Sequence, residues 1–287
     1  MSRIAYVNGR YVAHARAGVH VEDRGYQFAD GVYEVMAIFD GCLIDEGAHL
    51  DRLDRSLAAV RMAWPVSRRA LEIVLRRVVA LNRIRERGSL YLQVTRGVAL
   101  RDHRFPTGVV PSLVVTARTL PPLDVAALRR GVAVVTLPDQ RWRRVDIKST
   151  GLLPNVLARQ QAVEASAEEA WLVDGDGRVT EGTASNAWIV TNDREVVTRQ
   201  ADMSILAGVT RRVVLEIVAD RRLTLVERAF SVDEARAAAE AFLTSTTSTC
   251  KPVVRIDDHV IGDGRIGPVT DRLLQAYLRH LGVADDA

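Results

Sequence analysis

Lysine is the residue that this chain most nearly lacks. Of the 39 basic residues only Lys148 and Lys251 are lysine, and every other one is arginine. Arginine stays protonated at any working pH, whereas a lysine amine can lose its proton and act as a nucleophile. Each lysine is therefore a candidate for chemistry that a guanidinium cannot perform, and its sequence context must separate that role from an ordinary surface charge.

Cysteine and long apolar runs are also scarce. The two cysteines, Cys42 and Cys250, are too few for a disulfide framework. The start of the chain, MSRIAYVNGR, lacks the apolar run of a secretion signal. No stretch reaches the ~18 consecutive apolar residues that a membrane-spanning helix needs. We therefore expect a cytoplasmic protein without a membrane partner.

The remaining composition is that of a globular protein. The 287 residues are 48% hydrophobic and 26% charged, which at about 150 residues per domain predicts two domains with sizeable cores. The net charge of +3 is mildly basic, but acidic residues are interspersed with the arginines, as in HLDRLDR at 49–55. A basic nucleic-acid-binding protein is therefore only a remote alternative.

A proline-rich segment, TLPPLD at 119–124, is the best candidate for a domain linker, because paired prolines interrupt both helix and sheet. We predict an N-terminal α+β domain over residues 1–120, a linker over 121–125 and a C-terminal domain over 126–287. In the C-terminal part, helical segments alternate with short strands. This mixture is typical of an α/β or α+β fold.

Local patterns in the first part predict hairpins followed by helices. Asn8-Gly9 between apolar runs is a strong hairpin signal. Leu50, Leu53 and Leu57 recur at helical spacing, and Ser67 is a candidate N-cap for a second amphipathic helix. Two strands, SLYLQVTRG and VVPSLVVTA, then enclose the polar loop ALRDHRFPTG. Loops held between strands are where functional groups tend to lie.

Several familiar sites are excluded. Gly262-Asp-Gly264-Arg-Ile-Gly267 formally matches a dinucleotide-binding motif, but the chain ends after one further helix, so we interpret it as a tight turn. A Walker A loop is impossible because neither lysine follows a glycine. The histidines lack metal-ligand spacing and have no cysteine nearby, so we predict no metal site; they are His14, His20, His49, His103, His259 and His280.

The two lysines differ in context. Lys148 lies in VDIKSTG at 145–151, where an alternating pattern predicts the end of a strand just before a helix. The positive end of that helix would oppose protonation of the amine, as Schiff-base chemistry requires. Lys251 precedes Pro252 at the mouth of a hairpin, and we interpret it as a solvated surface charge.

Other segments are suited to hold an anion and a ring nitrogen. Gly208 and Thr210 stand at a predicted helix start, whose N–H groups and dipole attract anions. LTSTTST at 243–249 supplies hydroxyl groups, and Arg52 could add a charge-assisted contact. Glu181 ends a predicted strand, where a carboxylate could be solvated or could keep a pyridine nitrogen protonated. A phosphorylated cofactor accounts for these features jointly.

Taken together, these segments resemble the D-amino acid aminotransferases, a family of fold type IV pyridoxal phosphate enzymes. The resemblance spans nearly the whole chain and rests on EDRGYQFADGVYEV at 22–35, HLDRL at 49–53, YLQVTRG at 91–97, RDHRFP at 101–106, DIKS at 146–149, VTEGTASN at 179–186, ILAGVTR at 205–211 and TSTTS at 244–248. The resemblance implies a smaller N-terminal α+β domain and a larger C-terminal α/β pseudo-barrel domain.

The resemblance also implies a function. The protein would be a homodimeric transaminase that moves the amino group of D-amino acids, such as D-alanine, to 2-oxo acids, such as 2-oxoglutarate, by a ping-pong mechanism. Lys148 would form a Schiff base with pyridoxal 5'-phosphate and shuttle a proton, while Glu181 would pair with the pyridine nitrogen. The remaining cofactor contacts would come from Arg52, Leu206, Val209, Thr210 and Thr246.

Substrate selection separates members of this fold. The resemblance implies that Arg101 and His103, contributed by the neighbouring subunit, bind the substrate carboxylate together with Tyr33, and that Thr247 also contacts substrate. A guanidinium offers a bidentate fork to a planar carboxylate. A branched-chain L-amino acid or (R)-amine aminotransferase of the same fold is the alternative. Ala184 stands where some relatives carry a serine near the cofactor.

Overall fold

The computed structural model describes residues 3–283, which form two compact units. Unit 1 comprises the described residues up to Leu123 together with Ile147–Gly151. Unit 2 comprises Asp124–Asp146 and the described residues from Leu152 onward. The short segment Ile147–Gly151 thus lies within the range predicted for the C-terminal domain but packs with unit 1, and it carries Lys148.

Unit 1 is an antiparallel sheet with helices. Its strands, in the described residues, are β1 (Ile4–Val7), β2 (Arg10–Ala13), β3 (Gly31–Phe39), β4 (Cys42–Leu43), β5 (Arg87–Thr95) and β6 (Ser112–Thr119). They pair in the order β2-β1-β6-β5-β3-β4. The helices are α1 (Arg24–Phe28), α2 (Glu46–Ala59) and α3 (Arg68–Leu81), with a short 3₁₀ turn at His14–Arg16.

The local signals in unit 1 act as predicted. Asn8 and Gly9 both have positive φ, 45° and 91°, in the turn that joins β1 to β2, and Asn and Gly tolerate this conformation best. The Ser67 side chain accepts a hydrogen bond from the Ala70 N–H at the start of α3. Leu50, Leu53 and Leu57 on α2 are buried in the core of the unit. The predicted hairpin, N-cap and apolar helix face are confirmed.

Unit 2 combines a mixed sheet with five helices in its described residues. The strands are β7 (Val132–Pro138), β8 (Glu169–Val173), β9 (Val179–Gly182), β10 (Asn186–Val190), β11 (Val196–Thr198), β12 (Leu225–Glu227), β13 (Glu240–Ser245), β14 (Thr249–Ile256) and β15 (His259–Val260). The helices are α4 (Val125–Arg129), α5 (Leu153–Glu164), α6 (Val209–Asp220), α7 (Val232–Arg236) and α8 (Pro268–His280).

Strand pairing in unit 2 explains its apolar strands. β7 runs parallel to both β8 and β14, while β13 pairs antiparallel with β10 and β14. Every residue of β10 is buried, as expected for a strand covered on both faces. The core is built around large side chains such as Trp171 and Phe230, whose rings meet edge to face at 6.1 Å between centroids.

The glycine-rich segment at 262–267 is a turn that leads into α8, as predicted. Gly262 and Gly264 have positive φ. The buried carboxylate of Glu240 accepts hydrogen bonds from the backbone N–H groups of Val269 and Thr270, at 2.9 and 2.7 Å. A side chain of this chain therefore caps the helix start that a dinucleotide-binding motif would offer to a phosphate. Within residues 3–283, no helix is both long and apolar enough to cross a bilayer.

Candidate active site

Lys148 lies in a loop that runs along β3 of unit 1. Its carbonyl oxygen accepts a hydrogen bond from the Tyr33 N–H at 3.0 Å, and Ser149 forms an isolated bridge with Val32. The Lys148 Nζ atom is 4.3 Å from the centroid of the Tyr33 ring. The predicted strand end at Lys148 is therefore wrong: the segment is held by a few hydrogen bonds to β3, and α5 begins only at Leu153.

Beside Tyr33, the buried Glu34 carboxylate forms a compact ionic cluster. Arg52 donates to it from Nε and Nη2 at 2.8 and 2.7 Å, and His49 Nδ1 lies 2.7 Å from one of its oxygens. Burial favours the neutral acid, but Arg52 and His49 outweigh it and lower the Glu34 pKa to about 2. Burial, with smaller contributions from Arg52 and Lys148, lowers the pKa of His49. The cluster thus contains a carboxylate, a guanidinium and a neutral imidazole.

Arg101 and His103 lie on the exposed loop between β5 and β6. The Arg101 guanidinium carbon is 5.0 Å from the Phe28 ring centroid, and the His103 ring is 5.3 Å from the same ring. Phe28 therefore brings the two predicted carboxylate ligands together. Tyr33, in contrast, contacts Lys148 and packs against Tyr91 at 5.6 Å between ring centroids.

In unit 2, Glu181 is a buried carboxylate in β9. Its Oε2 atom accepts hydrogen bonds from Asn186 Nδ2 at 2.9 Å and from the Leu206 N–H at 3.1 Å. Its Oε1 atom accepts a short hydrogen bond from Arg141 Nη1. These contacts fix the Glu181 side chain in one orientation, and they link it to Leu206, which the resemblance assigns to the cofactor.

Arg141 is shared between two carboxylates. Besides Glu181 it binds Asp139 in a bidentate pair, with Nε and Nη2 at 2.9 and 2.7 Å from the two oxygens. Burial works against ionisation, yet Arg141 lowers the pKa of Asp139, and the two carboxylates raise the pKa of Arg141. These three side chains carry two formal negative charges and one positive charge. No sequence pattern singles out Arg141, since arginine is abundant throughout the chain.

The start of α6 has the features of an anion site. Gly208 precedes the helix and offers no side chain to cap it. A Cβ atom at Gly208 would lie 2.1 Å from the Asn186 amide oxygen, so glycine leaves the space that the buried Asn186 side chain occupies. Val209 and Thr210 follow, both buried, and Tyr277 OH lies 3.4 Å from the Thr210 hydroxyl. Thr246 and Thr247 lie apart from this helix start in sequence, in the turn between β13 and β14.

The segment that follows Glu181 is held by a second buried acid. Glu169 Oε1 accepts a hydrogen bond from the Thr183 N–H at 3.1 Å, and its Oε2 accepts one from the Ser185 hydroxyl at 3.1 Å. Ala184 lies between these two anchors. Lys251, predicted to be solvated, is only 15% exposed and pairs with Glu168, so that prediction is wrong.

Comparison with known proteins defines the class. Residues 31–256 match the amino-transferase class IV family. Because this match covers well over half of the chain, the protein belongs to the class IV aminotransferases. The family and the enzyme class predicted from the sequence are confirmed.

Individual relatives refine this assignment. The chain is 43% identical over 270 residues to a D-alanine aminotransferase of Bacillus licheniformis, covering 94% of each chain. It is 39% identical over 277 residues to a D-alanine aminotransferase of Listeria monocytogenes serotype 4b (strain F2365), covering 96% of this chain and 95% of the relative.

Solved structures share the fold. A branched-chain amino acid aminotransferase of T.th., determined with pyridoxamine 5'-phosphate, has a TM-score of 0.90 at 25% identity and covers 100% of this chain and 96% of its own. A fold IV transaminase from Curtobacterium pusillum has a TM-score of 0.81 at 26% identity, covering 96% and 98%. The predicted fold type IV architecture is confirmed.

Proposed function

We propose that this protein is a pyridoxal phosphate-dependent transaminase that moves the amino group of D-amino acids, such as D-alanine, to 2-oxo acids. The observation that carries the proposal is the 43% identity, over 94% of both chains, to a D-alanine aminotransferase. The substrates are thus small amino and oxo acids.

The charges around Glu181 fit the cofactor. When bound, pyridoxal phosphate supplies an aldehyde that accepts the amino group and a protonated pyridine ring that stabilises the carbanion. Arg141 is divided between Asp139 and Glu181, so a further cation beside Glu181 is electrostatically favourable. In this proposal Glu181 keeps the pyridine nitrogen protonated, and Leu206 packs against the ring.

Lys148 is the residue to which we assign the proton transfer. Its primary amine can attach the cofactor and, once released, can take a proton from the substrate Cα and return it at the next carbon. The loop contacts to Tyr33 and Ser56 hold its backbone. A guanidinium at this position would stay protonated and could not act as the base.

The phosphate group requires donors. In unit 2 we assign them to the backbone and hydroxyl groups of Val209, Thr210 and Thr246. In unit 1 we assign Arg52, whose Nε and Nη2 atoms already bind Glu34. The start of α6 supports this assignment, because backbone N–H groups and the helix dipole favour an anion there.

Substrate binding rests on a separate set of residues. We assign the substrate carboxylate to Arg101, His103 and Tyr33, with Thr247 as a further contact. We also propose that the enzyme acts in the cytoplasm as a homodimer, in which the loop with Arg101 and His103 serves the neighbouring subunit. The placement of both residues around Phe28 supports their acting as a pair.

A branched-chain or (R)-amine transaminase is the second candidate. The observation that favours it is the TM-score of 0.90 with a branched-chain amino acid aminotransferase. Lower sequence identity, 25% against 43%, makes this the weaker candidate.

A substrate panel tests the proposal. Single-turnover amino transfer from D-alanine, L-leucine and an (R)-primary amine is followed by absorbance of the bound cofactor. We expect D-alanine to react fastest. Faster reaction of L-leucine or of the (R)-amine would reject the D-specific function in favour of the second candidate.

The two lysines provide a matched pair of variants for the catalytic assignment. Lys148→Ala should abolish turnover and the covalent link that sodium borohydride traps between cofactor and chain. Lys251→Ala, which removes the other lysine of the protein, should retain both. Survival of turnover and of the trapped link in Lys148→Ala would show that Lys148 is not the catalytic base.

A further inference from the structure

The loop with Arg101 and His103 must hold a fixed shape if it is to bind a carboxylate, as the proposed function requires. Residues 101–105 are exposed and lie outside the helices and strands of unit 1. Two buried arginines, Arg24 and Arg96, contact this loop from beneath. Their contacts show how an exposed loop can be kept in one conformation.

Arg24 holds the middle of the loop. Its Nη1 atom donates a hydrogen bond to the carbonyl oxygen of Asp102, the residue between Arg101 and His103. Its guanidinium carbon also lies 4.8 Å from the centroid of the Phe28 ring, the ring that both Arg101 and His103 contact. Arg24 therefore sets the position of the backbone from which the two ligands project.

Arg96 holds the far end of the loop. Its guanidinium carbon lies 3.7 Å from the centroid of the Phe105 ring, and that of Arg61 lies 4.8 Å from the same ring. Arg96 is itself fixed by hydrogen bonds to the carbonyl oxygens of Val60 and Arg61, at 2.9 and 3.1 Å. Cation–π contacts of this kind are worth more when the cation is desolvated, as here.

Asp30 joins the two arginines. Its Oδ2 atom accepts from Arg24 Nε and from Arg96 Nε, both at 2.8 Å, and its Oδ1 atom accepts from Arg96 Nη2 at 2.9 Å. Without this carboxylate, two buried guanidinium groups would lose the counter-ion that they share. Burial acts to raise the pKa of Asp30, but both arginines lower it below its ordinary value, so the carboxylate stays ionised.

We propose that Asp30 is a positioning residue for substrate binding: by holding Arg24 and Arg96 it fixes loop 101–105, and thereby the geometry of Arg101 and His103 toward the substrate carboxylate. Asp30 does not contact the substrate in this proposal. Displacing a binding group by about 1 Å can reduce the rate about a hundredfold, so loss of Asp30 should be visible in substrate binding.

Asp30→Asn tests the proposal, because the amide keeps the size of the side chain and removes its charge. We expect the KM for D-alanine to rise about ten- to hundredfold, with kcat changed less than about threefold, since the bound carboxylate is lost equally from ground and transition states. Amino transfer from D-alaninol, which lacks the carboxylate, should keep its rate. An unchanged KM, or an equal loss with D-alanine and D-alaninol, would overturn the proposal.

Two further variants complete the design. Arg104→Gln removes an exposed charge of the same loop, which pairs at the surface with Asp102, and should leave the KM within about twofold of the unmodified enzyme. Phe105→Leu removes the ring that Arg96 contacts and should raise the KM in the same selective way as Asp30→Asn. If Asp30→Asn does not fold, Phe105→Leu decides alone, and an unchanged KM there rejects the proposal.

Failure of the underlying function is read separately. The unmodified protein is assayed first with D-alanine and D-alaninol. If it prefers D-alaninol, the carboxylate-binding role of Arg101 and His103 is wrong, and the role of Asp30 in positioning them is overturned with it. If it prefers D-alanine, only the variants decide.

Discussion

Each unit buries a carboxylate against an arginine, but the two clusters differ in their charge balance. In unit 1, Glu34 and Arg52 form a one-to-one ion pair with a neutral His49 beside it. In unit 2, Glu181 shares Arg141 with Asp139. Both clusters are nearly inaccessible to solvent, so the difference lies in the number of charges and not in exposure.

This difference separates a structural role from a chemical one. A buried carboxylate paired with one guanidinium is neutral as a pair, and removing either partner strands a charge in the protein interior. A guanidinium divided between two carboxylates retains one partner when the other is removed. The second arrangement can therefore bind or release a further cation at modest cost, which is what a site for a protonated pyridine nitrogen needs.

The largest effect is expected from breaking the balanced pair. Glu34→Gln should lower the free energy of unfolding by about 3–5 kcal/mol, because the buried Arg52 then loses the carboxylate that neutralises it. Urea unfolding at neutral pH measures this loss. Asp51→Asn, which breaks an exposed pair with Arg68 on the same unit, is the control and should cost less than about 1 kcal/mol. A similar loss for both variants would remove the distinction between the clusters.

The shared arginine predicts the opposite pattern for Glu181. Glu181→Gln should reduce kcat with D-alanine by about 100-fold or more, as expected when a preorganised charge at the reacting group is lost. Its stability should change little, because Asp139 still binds Arg141. Steady-state kinetics and urea unfolding of the same preparation measure both quantities. A large loss of stability with little loss of kcat would assign Glu181 to structure and contradict the comparison.

Local features of both units could be predicted from the sequence. Asn8-Gly9, Ser67 and the spacing of Leu50, Leu53 and Leu57 act through the turn, cap and helix in which they lie. Lys148 and Glu181 could be singled out because residue type and context restrict what they can do. These signals operate over a few residues and need no knowledge of tertiary packing.

The remaining features depend on contacts between distant segments. The return of Ile147–Gly151 to unit 1 is set by hydrogen bonds to β3, which no pattern at 145–151 reveals. Arg141 and Asp30 are ordinary residues until folding places partners around them. Lys251 shows the same limit, because its partner Glu168 lies far away in sequence. Even the predicted phosphate ligand Arg52 has a Glu34 contact that its sequence context did not indicate.

The smallest effect is expected from pH, and it tests whether the cluster in unit 1 holds a neutral imidazole. The pKa of His49 is lowered in the folded protein, so the unfolded chain binds a proton at higher pH than the folded chain does. Stability should therefore fall as pH drops below about 6.5, the ordinary value for histidine. Glu34 stays ionised in this range because its pKa is about 2.

Urea unfolding at pH 7.5 and 5.5 measures the effect as a difference between two proteins. The unmodified protein should lose about 1 kcal/mol more than His49→Gln over this interval, since one proton uptake over one pH unit is worth about 1.4 kcal/mol. The other histidines contribute equally to both proteins and cancel. Equal losses would mean that the pKa of His49 is not lowered. A smaller loss in the unmodified protein would mean that His49 takes up a proton beside Glu34, and the cluster in unit 1 would then hold an excess positive charge where that in unit 2 holds an excess negative one.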